Sequence, residues 1–203
     1  MKSKNKIIIN IVVYSSIITF ILIYLIFRAG KEGYNFETFM GDIAYTSLII
    51  CFMLFVFDKW IWRIPFVGRW LHTPNISGEW TGMGKSYYDD TEYECKLIIK
   101  QTFHEVYVHG YFEKSQSDSF NSVFIHNDTL DKTYFVYSYQ NEPNQEYRNK
   151  SVKKEENGIC IHYGTTRFVI DYNNLNKMTG SYWNDRNCSG ELKLTRKMAK
   201  NGK

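Results

Sequence analysis

No charged side chain occurs in residues 7–27, IIINIVVYSSIITFILIYLIF. A helix rises about 1.5 Å per residue, so a run of this length matches a hydrocarbon layer of about 30 Å. The run lacks the small-residue cleavage site of a secretory signal peptide; it outlasts such an apolar region and ends in Phe27-Arg28. No CxxC pair is present, and Cys51, Cys95, Cys160 and Cys188 are scattered along the chain. An odd set of thiols outside the apolar runs does not make a disulfide framework, and zinc asks for clustered ligands. They read as reduced, partly buried thiols of a cytoplasmic domain. GxSxG, HExxH and GxxxxGK[ST] are all missing, which removes the nucleophile elbow, the zincin helix and the phosphate loop. His72, His104, His109, His126 and His162 show no ligand spacing on one face. Asp89-Asp90 and Asp171 read as turn or surface carboxylates. Neither an enzyme, a metal nor a cofactor is expected.

What the chain does contain is sharply divided. A second apolar run, FMGDIAYTSLIICFMLFVF at 39–57, carries only Asp42. A buried core helix would also fit it. The segment just beyond, DKWIWRIPFVGRW, argues for a membrane instead: Trp60, Trp62 and Trp70 with Lys59, Arg63 and Arg69 form an interfacial aromatic and basic collar. Lys2, Lys4 and Lys6 precede the first run, whereas Arg28 and Lys31 in the connecting loop are offset by Glu32 and Glu37. The positive-inside rule then places both termini in the cytoplasm. The expected organisation is a cytoplasmic N-terminus (1–6), transmembrane helix (7–27), outside turn (28–38), transmembrane helix (39–57), interfacial linker (58–74), cytoplasmic β domain (75–197) and tail (198–203). Ser15, Ser16, Thr19, Gly41, Thr46 and Ser47 are the small and hydroxyl positions through which such helices could associate.

From Ile76 onward the hydrophobic period is two. SGEWTGMGK, ECKLIIKQ, EVYVHGYFEK, SFNSVFIHN, TYFVYSYQ, GTTRFVIDY, MTGSYWND and GELKLTRK are rich in β-branched and aromatic residues and are separated by Asn, Asp, Gly and Ser. An even number of strands lets the first and last pair antiparallel. The expectation is an all-β, eight-stranded antiparallel meander barrel, lipocalin-like, behind two N-terminal transmembrane helices. Alternation puts Gly78, Trp80 and Gly82 on one face, Val106, Val108, Gly110 and Phe112 on another strand's, and Met178, Gly180, Tyr182 and Asn184 on a third's. A barrel of this size is filled by side chains or holds one small ligand. The charged stretch 141–158 reads as a loop with at most a short helix or extra strand.

Strand direction collects Tyr87, Tyr88, Lys114, Tyr139, Asn141, Asn184 and Arg186 at the rim opposite the start of the first strand. Tyr182 and Asn184 share inward parity, and Arg186 follows in the turn. A ring, an amide and a guanidinium at one mouth suit a planar, anionic ligand, because arginine pairs bidentately with phosphate and aromatic rings stack on bases. A core tyrosine, an Asn-containing turn and a solvated arginine would give the same pattern.

The order of the segments adds a resemblance. Two apolar runs, then ISGEWTG, IIKQ, YSYQNEP, HYGTTRFVI, MTGSYWNDR and GELKLTR, resemble the two-transmembrane, β-strand-rich effectors of bacterial cyclic-oligonucleotide antiphage signalling (CBASS), a CD-NTase-associated membrane effector family. The GxYxTxR-like element of that family matches Gly180, Tyr182 and Arg186, with Asn184 where the family has a hydroxyl. The resemblance implies an effector without catalytic activity, whose activating ligand is a cyclic dinucleotide made by a cyclic-oligonucleotide synthase. It implies a bacterial inner-membrane location, homo-oligomerisation on activation, disruption of the lipid bilayer, and no DNA or RNA polymer as partner. The candidate ligand-binding residues are Tyr87, Tyr139, Thr165, Tyr182, Asn184 and Arg186. A membrane-tethered interaction protein with a solid barrel and no nucleotide ligand is the alternative, and a lipid-modifying enzyme the third.

Overall fold

The computed structural model describes residues 14–15, 17–22, 36–152 and 159–197. Most of the expected first span lies outside these residues; 14–15 and 17–22, which fall inside it, are helical. The expected N-terminus 1–6 and tail 198–203 also lie outside them, as does most of the turn 28–38. The chain divides into two compact units, Met1–Ile61 and Trp62–Lys203.

Within the first unit, helix α1 spans Phe36–Lys59. Residues Met40–Arg63 are long and apolar enough to cross a membrane, with mean hydropathy 2.0. Glu37 in the first turn and Lys59 in the last oppose the helix dipole. Thr46 Oγ1 donates to the Asp42 carbonyl (2.7 Å) and Ser47 Oγ to that of Ile43 (2.8 Å). Each hydroxyl is thus satisfied inside its own helix. Leu48 and Phe52 point outward. Trp60 is also exposed and packs edge-on against Phe55.

The second unit opens with a short 3-10 turn, Ile61–Arg63, and helix α2, Pro65–Trp70, started by proline at its first turn. Trp62 is fully buried there, so it is not part of an interfacial collar; Trp70 is exposed. Gly68 lets the chain double back, since an added Cβ would lie 3.1 Å from the Thr73 oxygen and 3.2 Å from that of Trp62.

Eight strands follow: β1 Gly78–Ser86, β2 Glu92–Gln101, β3 Val106–Phe112, β4 Ser115–Asn127, β5 Lys132–Pro143, β6 His162–Ile170, β7 Lys177–Asn184 and β8 Ser189–Arg196. Each pairs antiparallel with the next, and β1 with β8, so the meander closes into a barrel and no strand is left as an edge. A bulge between Ser119 and Asn121 switches the inward positions of β4 from odd (Ser117, Ser119) to even (Phe124), so both halves of the strand keep a face toward the barrel interior. Helix α3, Gln145–Val152, occupies the long connection after β5; residues 153–158 lie outside the described set.

Period-two alternation places Trp80, Leu97, Val108, Phe135, Phe168, Met178 and Leu192 inside. The barrel is therefore filled by side chains rather than hollow. Polar groups close the end where β1 begins. Buried Gln101 accepts the Ile76 N–H through Oε1 (2.8 Å) and donates to the Pro74 carbonyl (3.0 Å). Arg196 donates to the carbonyls of Ser77 and Asn75 and lies over the Trp80 ring. Arg69 stacks on Tyr172, and His72 on His126. The lead-in segment is thus folded onto this end.

Candidate functional site

At the opposite end β1, β3, β5 and β7 finish, at Ser86, Phe112, Pro143 and Asn184. Below its mouth the interior narrows onto tyrosines. Tyr137 and Tyr139 are buried, and burial raises the pKa of both phenols. The Tyr93 phenol is raised by burial and then by its hydrogen bond to Tyr182. Glycines make room for these rings. A Cβ on Gly84 would collide with Tyr93, one on Gly164 with Tyr139, and one on Gly190 would sit 2.6 Å from Tyr182 Cε1. A ligand at this end meets a floor of phenols rather than a deep shaft.

One polar atom in that floor lacks a partner. Asn141 is buried on β5; its Nδ2 donates to Ser115 Oγ (3.1 Å), while its Oδ1 accepts nothing among the described residues. A buried acceptor left unpaired is costly, so it marks a place where a donor from outside would be welcome.

The candidate residues divide by face. Tyr139 and Tyr182 lie on the inner wall. Asn184 has inward parity, yet its Oδ1 accepts the backbone N–H groups of Arg186 (3.1 Å) and Cys188 (3.0 Å). The Asn thus shapes the β7–β8 turn, with Asn187 in the left-handed region (φ 56°). Arg186 is exposed on that turn, close enough to His162 that its charge adds to burial in lowering the His162 pKa. Tyr87 is drawn away from the mouth: its hydroxyl is hydrogen-bonded to Glu191 on the outer face of β8. Thr165 faces outward too, its hydroxyl 3.1 Å from that of Ser138. Tyr139 and Tyr182 are brought together on the inner wall; Arg186 lies on the exposed turn beside His162, and Tyr87 and Thr165 face away from the mouth.

Thr165 belongs instead to a cleft of about 340 Å³ on the outer wall, lined by Phe120, Ser138, Tyr163, Gly164, Trp183 and Asp185, which reaches the rim at Asn184. Phe120, Tyr163 and Trp183 are all exposed, with Phe120 and Tyr163 edge to face. Sequence reasoning had passed over these rings because outward aromatic positions on a strand resemble ordinary β-propensity. Beside the mouth, Lys114 and Lys150 flank the Tyr147 ring of α3.

Comparison with known proteins bears on the whole of this unit. The family model described as Cap15, cyclic dinucleotide receptor domain, matches residues 71–196. The chain belongs to this family. The matched span runs from Leu71 through the last strand, so the Cap15 domain here comprises all eight strands, both ends of the barrel and every candidate residue. Similar curated proteins are named CD-NTase-associated protein 15. One from Yersinia aleksiciae is 27% identical over 197 residues, covering 92% of this chain and 88% of its own. One from Staphylococcus schleiferi is 26% identical over 156 residues, covering 75% and 77%. One from Escherichia albertii is 24% identical over 171 residues, covering 78% and 82%. The resemblance carried by the order of ISGEWTG, HYGTTRFVI and MTGSYWNDR was to this group of CBASS effectors, and the family found is the family expected.

The three free cysteines of the barrel unit take no part in a joined site: Cys95 is buried in the core, where burial raises its thiol to about 12, Cys160 is exposed before β6, and Cys188 lies in the β7–β8 turn.

Proposed function

We propose that this protein is a membrane-anchored antiphage effector that binds a cyclic dinucleotide at the open mouth of its barrel and, once bound, associates through its apolar helices to disrupt the inner membrane. The observation that carries this is the match of residues 71–196 to a cyclic dinucleotide receptor domain. Helix α1 supports the membrane half of the reading, and the relatives' name supports a cyclic-oligonucleotide synthase as the functional partner. No catalytic step is invoked. The ligand is the activating signal, and it shifts the equilibrium by preferring the assembled state.

In this reading Arg186 pairs with a phosphate, Tyr182 supplies a stacking face, and a base amino group donates to Asn141 Oδ1. Calorimetric titration of the full chain in detergent with a panel of cyclic dinucleotides tests it. Arg186→Ala is expected to weaken binding by about 1.5–3 kcal/mol, the worth of a hydrogen bond to a charged group. Its melting temperature should hardly move, because the side chain is exposed. Unchanged affinity would remove the β7–β8 turn from the site. A second reading, favoured by the three exposed rings, seats the bases in the outer cleft. Trp183→Ala then costs about 1–3 kcal/mol of binding and Asn141→Ala none.

Assembly is tested separately. Leucine at Gly41, Thr46 and Ser47, together with Ser15, Ser16 and Thr19, should leave ligand affinity intact while abolishing ligand-dependent leakage from liposomes. Small residues permit close helix approach, and interhelical hydroxyl bonds add roughly 0.6 kcal/mol each. Full leakage from the leucine-filled helices would assign assembly to the barrels.

A further inference from the structure

At the end of the barrel remote from the ligand mouth, two imidazoles meet. His72, which follows α2, stacks on His126 of β4 with ring centroids 3.6 Å apart and planes 14° from parallel. The β4–β5 hairpin adds two carboxylates: Asp128 Oδ1 lies 3.5 Å from His126 Nε2, and Asp131 Oδ1 lies 3.9 Å from it. One ligand atom from each of His72, His126 and Asp128 falls within 4.8 Å of the others. We propose that His72, His126 and Asp128, with Asp131 as the fourth ligand, form a binding site for a divalent transition-metal ion of the zinc class that pins the lead-in segment to the β4–β5 hairpin.

The spacing fits such an ion. Zinc bonds of about 2.0–2.2 Å in a tetrahedron put neighbouring ligand atoms roughly 3.4 Å apart. The His126–Asp128 separation of 3.5 Å is close to that edge and too long for a good hydrogen bond. Asp131 lies outside the three-residue cluster and must turn toward it, and both carboxylates are almost fully exposed and free to turn. Two imidazoles with carboxylates favour zinc, nickel or copper over the oxygen-seeking magnesium and calcium. Convergence on one ion requires the near-parallel rings to swing edge to edge.

The surroundings of His126 set its tautomer. Its Nδ1 lies 2.9 Å from Thr133 Oγ1, and that hydroxyl lies 3.2 Å from the Tyr172 hydroxyl. If Nδ1–H donates to Thr133, whose own proton passes to Tyr172, the Nε2 lone pair faces the carboxylates. This is the arrangement by which a second hydrogen-bond layer orients a ligating histidine. Thr133 is 1% exposed, so the relay is fixed in the wall. His72 is held at φ 51°, its N–H donating to the Arg69 carbonyl (3.1 Å) while Thr73 N–H donates to that of Gly68 (2.8 Å). A left-handed non-glycine residue is uncommon. Here it turns the chain so that this ring reaches the barrel.

The full chain in detergent, stripped with EDTA, is titrated with ZnCl2 by calorimetry and with CoCl2 by visible absorption. One ion per chain is expected, with the intense d–d bands of tetrahedral cobalt. His72→Ala and Asp128→Asn should each lower zinc affinity by more than about tenfold, and Thr133→Val by about tenfold or more through the second layer. Asp128→Asn is the variant that guards against misfolding, since its side chain is 88% exposed. His109→Ala serves as the control that keeps full affinity. Failure of the parent protein to bind zinc overturns the site, and so does zinc binding that survives His72→Ala undiminished. Neither outcome touches cyclic dinucleotide binding at the other end.

Discussion

Trp80→Ala is expected to destabilise the barrel by about 3–5 kcal/mol, the usual cost of deleting a buried large aromatic. The ring is 0% exposed on β1. It lies within the cluster formed by Leu97, Phe168, Met178 and Leu194, so removing it leaves a cavity in the core. Two further contacts go with it. The indole N–H donates to the Ile76 carbonyl (2.9 Å), and the ring lies beneath the Arg196 guanidinium, which itself anchors Ser77 and Asn75. Loss of the ring therefore loosens the strand and also the polar closure of that end. Denaturant unfolding of the full chain, followed by near-ultraviolet circular dichroism, measures it. A midpoint indistinguishable from that of the parent would mean that Trp80 does not sit in the core. Trp80→Phe, which keeps most of the volume and loses the hydrogen bond, should fall between the two.

The face assignments behind that expectation were legible because a strand turns successive side chains to opposite sides, and few positions here break the rule. TYFVYSYQ and GTTRFVIDY alternate without fault, and Phe135, Tyr137 and Phe168 lie where parity puts them. Sequence was weaker where apolar residues stop marking the inside. The early half of β4, SQSD, carries no hydrophobic signal. Its inward Ser117 and Ser119 are buried because they lie against Gly110 and Tyr139, and Ser119 Oγ accepts the Val108 N–H (2.8 Å). Trp62 followed the composition of a membrane interface, yet tertiary packing overrode it. Asn184 carries a structural role that parity and motif did not show, because its side-chain oxygen organises the turn. The meeting of His72 with His126 had no local signal whatever, because it arises from a chain reversal at Gly68 and a hairpin far downstream. Pairings of that kind are written in topology rather than in spacing.

The second large effect is expected at the seam that closes the barrel. Gly82→Ala and Gly190→Ala should each cost about 3 kcal/mol or more, at or beyond the upper range for overpacking, because what they meet is backbone. β1 and β8 are the first and last strands, with no turn between them, held by their ladder from Trp80 opposite Arg196 to Ser86 opposite Gly190 and by flanking contacts such as Lys197 with Glu79. A Cβ on Gly82 would overlap the Lys193 carbonyl oxygen, with the Lys193 carbonyl carbon at 2.9 Å and Leu194 Cα at 3.0 Å. A Cβ on Gly190 would overlap the Lys85 carbonyl oxygen and press on the Tyr182 ring at 2.6 Å. No rotamer relieves a clash with a carbonyl, so the strands must part. Neither glycine has positive φ, which means that close approach, and not backbone freedom, demands it. Parting this pair reopens two edges and exposes the core along a single line. Amide hydrogen exchange is the direct reading: protection should fall first in β1 and β8 and stay high in β4 and β5. Gly41→Ala is the matched control, since nothing lies within 4 Å of an added methyl there and alanine favours a helix. Gly190→Ala should also disturb Tyr182 and weaken cyclic dinucleotide binding, while Gly82→Ala, further from the mouth along the same seam, should spare binding in whatever fraction remains folded. Uniform loss of protection around all eight strands would show that the seam is no weaker than the rest of the wall.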